Sequence, residues 1–477
     1  MTPFQQFRLW AHRAPVAERI GTAVVAVALL AVLGWVIVPV TDSGEAAAST
    51  EPSALTYADL TGGSEAPLST GPVSTAGQPC DPPPADAQGV TDDTVNLAVV
   101  LVNLGGAAGN ATFGLPAPDE QEKAFKAVAK SVNETGGAGC RQVALKFYEG
   151  NPSSQDQMHQ TCLKILQDKP FAVLDEGGFD TQASCIASAK VPFLTARLNL
   201  SEQTKYYPYL FANQANDLTV RNTLFALKDL KFFEGDQKVG VVYGDCNAGL
   251  VDVFFDSLKE IEIPDSQVTK YDLGCPESFS APSAIQQAVL KFKGAGVTRV
   301  LTLSMNKDFA NFTKTAAAQN FKPKYGLADN DGVLDITYGL LGPDFGNIEG
   351  SIGIAATSFG AEHSDTPAPA GTQACSDLMA TVGLAPVYEE LTGMGGIACS
   401  QLWAMQAMLN HVDKITQAGL AEGLSKAGTL PFSYPNGPTA NNDPKVTFGG
   451  QYWRAMEFKG DCQCWTLLDD TFKPGFP

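Results

Sequence analysis

Gly177, Gly178, Asp180 and Thr181 cluster between an apolar run ending at Leu174 and a helix predicted from Thr181. Glycine lets a bound group approach the backbone, a helix N-terminus offers free N–H donors and the positive end of its dipole, and Thr181 adds a hydroxyl. The junction therefore suits an anion. Asp180 or Thr181 serves equally well as an ordinary N-cap. Arg197 can pair with an acidic group on a ligand or remain a surface arginine. Asn103, Tyr243 and Asn247 follow predicted strands, and Phe113 lies in a glycine-containing loop. An aromatic ring there covers a ligand or simply packs in the core. Asp329, Asn330, Asp331 and Gly332 form an acidic turn of the Asx kind. Counted from Asp329, the twelfth position is Leu340, where a calcium loop needs Glu, so an EF-hand is excluded.

No recognisable catalytic motif accompanies these residues. G-x-S-x-G, a P-loop and H-E-x-x-H are all absent from the sequence. Gly105, Gly106 and Gly109 follow a strand, but no helix is predicted directly after them, so they make a poor dinucleotide fingerprint. The only histidines are His12, His159, His363 and His411, too few and too scattered for a His-rich metal site. No cofactor and no metal is expected. The 477 residues carry 32 Lys and Arg against 51 Asp and Glu, a formal charge of −19. Such a surface repels phosphate backbones and argues against nucleic acid as a partner.

The elements that must position these residues begin with an apolar segment. Ile20 to Val40 carries no charge. At about 1.5 Å per residue it reaches roughly 30 Å, the thickness of a hydrocarbon core. Arg8, Arg13 and Arg19 precede it, which keeps the N-terminus cytoplasmic and exports the rest. The run is longer than a usual secretory signal, so a single-pass signal anchor is expected. Ala46, Ala47 and Ala48 keep open a cleaved signal and a secreted product. Residues 1–19 then form a cytoplasmic tail, 20–40 the transmembrane anchor, and 41–92 a Pro-, Ser- and Gly-rich tether. All ten cysteines lie beyond residue 79, an even number that fits an oxidising compartment.

From Asp93 the chain alternates strand and helix. Strands are predicted at 95–102, 143–148, 171–174, 191–194, 238–243, 267–273 and 299–303, with helices at 120–135, 154–167, 181–189, 220–230, 249–261, 283–293 and 309–320. This alternation gives an α/β fold of parallel sheets flanked by helices, with ligands beyond the carboxyl ends of the strands.

Several of these units resemble a known family. Val95 to Val102 followed by Gly105 and Gly106, AFKAVAKSVNETGG (Ala124 to Gly137), FYEGNPSSQDQ (Phe147 to Gln157), DEGGFDTQASCIASAKVPFLT (Asp175 to Thr195), KVGVVYGDCNAGLVDVFFDSL (Lys238 to Leu258) and GLADNDGV (Gly326 to Val333) carry the likeness. Their order is similar to that of the type I periplasmic binding proteins, in particular the leucine/isoleucine/valine-binding substrate-binding proteins of ABC transporters. The resemblance implies two lobes with chain crossings near Asn213, Ala356 and Asn441. Lobe 1 would hold 93–213 and 357–440, and lobe 2 would hold 214–356 and 441–477. It implies a non-enzymatic protein that captures a small polar ligand, amino-acid or amide-like, and delivers it to an ABC permease. A membrane-anchored sensor or adaptor with the same fold is the alternative. In a cleft of this kind Gly178, Asp180 and Thr181 would face the ligand's carboxylate and Asp331 its ammonium, with Asn103, Phe113, Arg197, Asn199, Tyr243 and Asn247 completing the wall. Asn199 stands where leucine-type members carry a clamping hydroxyl, so the ligand's identity does not transfer. The same layout pairs Cys80 with Cys140, Cys162 with Cys185, Cys246 with Cys275 and Cys375 with Cys399. Cys462 and Cys464 are left over, two residues apart and without an assigned partner.

Overall fold

The computed structural model describes residues 82–112, 115–152, 154–175, 180–235, 237–244, 248–274, 281–303, 306–328, 342–356, 370–385, 394–429, 440–441, 445–469 and 471–476. The apolar segment 20–40 lies outside them, and among the described residues no helix is long and apolar enough to cross a membrane.

A first run of units builds one parallel sheet. In chain order it comprises β1 (Thr94–Val102), α1 (Gly106–Thr112), α2 (Pro118–Glu134), β2 (Gln142–Gly150), α3 (Gln155–Asp168), β3 (Ala172–Asp175), α4 (Asp180–Ser188), β4 (Phe193–Leu198), α5 (Leu200–Tyr206) and β5 (Leu210–Ala215). The strands lie in the order β2-β1-β3-β4-β5 and every neighbouring pair is parallel. β1 sits inside the sheet, which is why its sequence is a continuous apolar run rather than an alternating one. The short α1 corrects the expectation of a helix-free loop: it starts at Gly106, after the three-residue turn 103–105.

The second run comprises α6 (Asn216–Asp229), β6 (Val239–Tyr243), α7 (Ala248–Glu260), β7 (Val268–Asp272), α8 (Pro282–Ala295), β8 (Arg299–Leu303), α9 (Asn306–Ala318), β9 (Lys324–Ala328), α10 (Phe345–Ile348) and β10 (Ile352–Ala355). The chain then forms α11 (Ala370–Thr381), α12 (Met394–Asn410) and α13 (Leu420–Ala427). A small pair follows, β11 (Gly428–Thr429) with β12 (Ala440–Asn441), and then β13 (Tyr452–Lys459), β14 (Cys464–Leu467) and β15 (Lys473–Pro474). The second sheet has the order β14-β13-β10-β9-β8-β6-β7, with β15 on β13. β6 to β10 are parallel, and β13, β14 and β15 are added antiparallel.

The last third of the chain returns to the first sheet. α12 is apolar on nearly all sides and buries Leu402, Trp403, Met405 and Leu409, which a helix does only when elements cover it all round. It packs with α2 and α13 in the same core as Val99, Phe125 and Phe211. Where α13 crosses α12, Gly423 has no side chain, and a Cβ there would lie 2.4 Å from the Met408 carbonyl oxygen. Residues 445–449 then run beside β5: Ala212 N donates to Thr447 O at 3.0 Å and Gly449 N to Ala212 O at 3.0 Å. Thr447 Oγ1 adds a bond to Leu210 O at 2.7 Å. The chain passes from there into β13 through Gly450, whose φ of +79° suits glycine and which packs against Gln214.

Three bridges lie among the described cysteines. Cys162–Cys185 ties α3 to α4, and Cys375–Cys399 ties α11 to α12. Cys462 is bonded to Cys464, which resolves the pair left open by the sequence. Cys140 is also disulfide-bonded, while Cys80, Cys246 and Cys275 lie outside the described residues.

Candidate functional site

The carboxyl ends of β1, β3 and β4 bring the sequence-predicted residues of the first sheet to one edge. Asn103 follows β1. Its Oδ1 accepts from Gly105 N at 3.0 Å and Gly106 N at 2.5 Å, while its Nδ2 donates to Glu149 Oε2 on β2 at 2.6 Å. It therefore braces the loop and ties it to the neighbouring strand. Two buried side chains that sequence reasoning missed complete that brace. Gln121 accepts from Val102 N at 2.8 Å and donates to Val102 O at 2.9 Å. Asn110 accepts from Leu104 N at 2.8 Å and donates to Val102 O at 2.8 Å and to Pro116 O at 2.7 Å. Each amide substitutes for a missing strand partner, so the loop after β1 is held rigidly.

At the tip of β3 stands Asp175, fully buried. Thr195 Oγ1 on β4 donates to its Oδ2 at 3.3 Å. Gln401 of α12 donates from Nε2 to the Asp175 carbonyl at 2.8 Å and to Leu194 O at 3.3 Å, locking β3 and β4 together from the helix side. Asp180 and Thr181 open α4 directly beyond β3. A polar residue closing the apolar run FAVLD was the signal that would have found Asp175. Nothing in the sequence singles out Gln401.

Arg197 lies on β4, half-buried and opposite Gln214 of β5. Asn199 is the N-cap residue of α5: its backbone N–H donates to Glu202 Oε2 at 3.1 Å and its Oδ1 accepts from Asn216 Nδ2 at 3.0 Å. It thus links the ends of β4 and β5. Beside it Asp217 accepts from Leu200 N at 2.8 Å. Burial raises the Asp217 carboxyl above the usual carboxylate range, against the lowering effect of the Leu200 N–H and its own N–H. Tyr243 ends β6 on the second sheet and meets Phe255 edge-on at 5.3 Å between ring centroids. Gly178, Phe113, Asn247 and Asp331 lie outside the described residues.

A small cavity of about 20 Å³, room for little more than a water molecule, lies behind β4 and β5, between Thr195, Phe211, Asn213, Met408 and Phe448. None of the predicted ligand residues lines it. Its walls are largely apolar, and the predicted contacts collect at the strand ends instead. Among the described residues no cluster of three or more His, Cys, Asp or Glu could hold a metal ion.

No family model matches the sequence. The curated proteins give no match either. Solved structures do resemble it. A solute-binding protein of an ABC transporter from R. palustris, in complex with 4-hydroxybenzoate, is 16% identical with a TM-score of 0.59, over 81% of this chain and 98% of that one. A branched-chain amino acid ABC transporter protein from Thermus thermophilus with bound valine is 15% identical with a TM-score of 0.57, over 81% and 97%. A fatty acid ABC transporter substrate-binding protein from Thermomonospora curvata is 13% identical with a TM-score of 0.57, over 82% and 95%. The chain has the two-lobed α/β fold of the type I periplasmic binding proteins, with parallel sheets flanked by helices.

Proposed function

We propose that the chain is an extracytoplasmic solute-binding protein that closes two lobes around a small carboxylate-bearing ligand and presents it to an ABC permease. The observation that carries this reading is the edge itself. Arg197 and the start of α4 stand at the carboxyl ends of neighbouring parallel strands, on a fold whose solved examples bind solutes. Valine, 4-hydroxybenzoate and a fatty acid share little except a carboxylate. A helix N-terminus and a guanidinium are the two groups best suited to hold one. Lobe 1 consists of β1 to β5 with α11 to α13 and residues 445–449, and lobe 2 holds the second sheet. The third crossing is then at Gly449 to Gln451 rather than near Asn441, because Thr447 and Phe448 still pair with β5. In this reading Asn103, Arg197 and Asn199 belong to the lobe 1 wall, next to the start of α4, and Tyr243 to the lobe 2 wall. Gly178, Phe113, Asn247 and Asp331 are the remaining expected contacts and lie outside the described residues. Residues 20–40 anchor the protein and 41–81 form the tether. The tether stops short of residue 92, because Asp86 N donates to Ile415 O at 2.9 Å, Ile415 N to Pro84 O at 2.8 Å and Arg141 Nη2 to Pro83 O at 3.0 Å, which ties this stretch to the folded body.

The test is thermal unfolding of the chain from Cys80 onward against amino acids, aromatic acids, short fatty acids and the matching amides. A ligand at a hundred times its dissociation constant adds about 2.7 kcal/mol of stability. Carboxylates should shift the transition and their amides should not. Arg197→Ala should weaken the best carboxylate at least tenfold, with Arg197→Lys in between. Equal binding of acid and amide would remove the carboxylate from the reading.

The second reading, a membrane-anchored sensor or adaptor, is favoured by one observation: no cysteine follows residues 20–40 closely enough to take a lipid anchor. A folded protein that binds nothing in the panel supports it.

A further inference from the structure

The bridge between Cys462 and Cys464 differs in position and in span from Cys162–Cys185 and Cys375–Cys399. Cys162, Cys375 and Cys399 are fully buried and Cys185 is half-buried, and their bridges span 23 and 24 residues. Cys462 is exposed at the tip of the β13–β14 hairpin, Cys464 is 3% exposed, and they stand two residues apart. A disulfide stabilises a fold by restricting the unfolded chain, and the restriction grows with the length of the closed loop. This bridge closes almost no loop, so oxidation stabilises the fold little and reduction has correspondingly little folding energy to overcome. The residue it encloses, Gln463, has φ +53°, a left-handed conformation that non-glycine residues adopt at a cost. The hairpin does not depend on the bridge. Lys459 pairs with Cys464 and Phe458 with Trp465 through the ladder, and Asp461 Oδ1 accepts from Cys462 N at 2.8 Å in the turn.

We propose that Cys462–Cys464 is a thiol-exchange site, an accessible bridge that accepts two electrons from two low-molecular-weight thiols while Cys162–Cys185 and Cys375–Cys399 stay closed. A thiolate attacks the exposed sulfur of Cys462. A new sulfur–sulfur bond forms there, the Cys462–Cys464 bond breaks, and Cys464 leaves as a thiolate that takes a proton. A second thiolate then attacks the outer sulfur of the mixed disulfide. The small disulfide departs, and Cys462 is left as a thiolate that is protonated in turn. Two external thiols are oxidised to one disulfide and one protein bridge becomes two thiols. Access fixes the direction: the adduct forms on Cys462 because Cys464 lies inside the sheet.

The experiment titrates the full-length protein with mixtures of reduced and oxidised glutathione, quenches in acid, alkylates the free thiols and maps them by peptide mass spectrometry. The expected result is half-reduction of Cys462 and Cys464 at a glutathione excess at least tenfold lower than Cys162–Cys185 or Cys375–Cys399 require. A glutathione adduct should be trapped on Cys462, and the far-ultraviolet circular dichroism should be unchanged. Opening of Cys462–Cys464 together with Cys162–Cys185 and Cys375–Cys399, or an adduct on Cys464, overturns the proposal. Gln463→Gly, which relieves the backbone, should move half-reduction to a larger excess of reduced glutathione. An unmoved midpoint would take the backbone cost out of the argument.

Discussion

Gln121 is a polar side chain set within the buried face of α2. It sits on α2, one turn before Phe125, and is fully buried with both ends of its amide bonded to Val102. Gln121→Ala strands a buried N–H and weakens a carbonyl at the root of the first loop. Each such group costs about 1–3 kcal/mol, so urea unfolding should show a loss of about 2–4 kcal/mol. A loss under about 1 kcal/mol would mean that the loop rearranges to satisfy itself. Asp217 makes a prediction in pH. Its folded-state carboxyl titrates above the usual value of about 3.9, so between the two values the folded protein holds the extra proton. Stability therefore falls as pH rises through that window. Asp217→Asn should flatten the slope in urea midpoints measured from pH 3 to 7, and an unchanged slope would assign it to other carboxylates. Of the proposed site, the sequence exposes those residues that end strands or begin helices, such as Arg197 and Thr181. It hides Gln121, Asn110 and Gln401, because an amide that replaces a backbone partner looks like any solvent-facing amide until the fold is known.

At the level of elements, apolar runs and helical spacing carried most of the reading. β1, β6 and β8 and helices α2, α3 and α8 lie within a few residues of their predicted spans. β5 escaped because its buried positions include Asn213 and Gln214, which break the apolar run. Those polar positions are tolerated where residues 445–449 and Gly450 pack over the strand. The contact of α12 with α13 was equally invisible, since it depends on one missing side chain. Gly423→Ala inserts a methyl group at 2.4 Å from the Met408 carbonyl oxygen, so α13 must move off α12. The expected loss is about 1–3 kcal/mol, as for other overpacked contacts, read as a lower thermal midpoint. A variant as stable as the parent would show that α13 slides freely.

For the molecule as a whole, the proposed two-lobed reading makes hinge closure the expected motion. Small-angle scattering should show a smaller radius of gyration once the ligand found by thermal unfolding is added. An unchanged profile with saturated ligand would mean that binding occurs within one lobe. The strand-like segment 445–449 has a further consequence, for the order in which the chain can fold. Thr447 bonds to Leu210 across a separation of 237 residues, and Gln203 reaches Lys445 across 242. A polypeptide delivered N-terminus first presents β1 to β5 early, yet the outer edge of β5 stays bare until nearly everything else has arrived. Through that interval the exposed edge is a template for pairing with other chains. Long-range closure of this kind is also slow, since the loop must be gathered before any contact rewards it. Premature arrest of synthesis or translocation before Lys445 should therefore leave a sticky half-built sheet, and a holding chaperone at the point of emergence would serve this chain more than one acting on the finished protein.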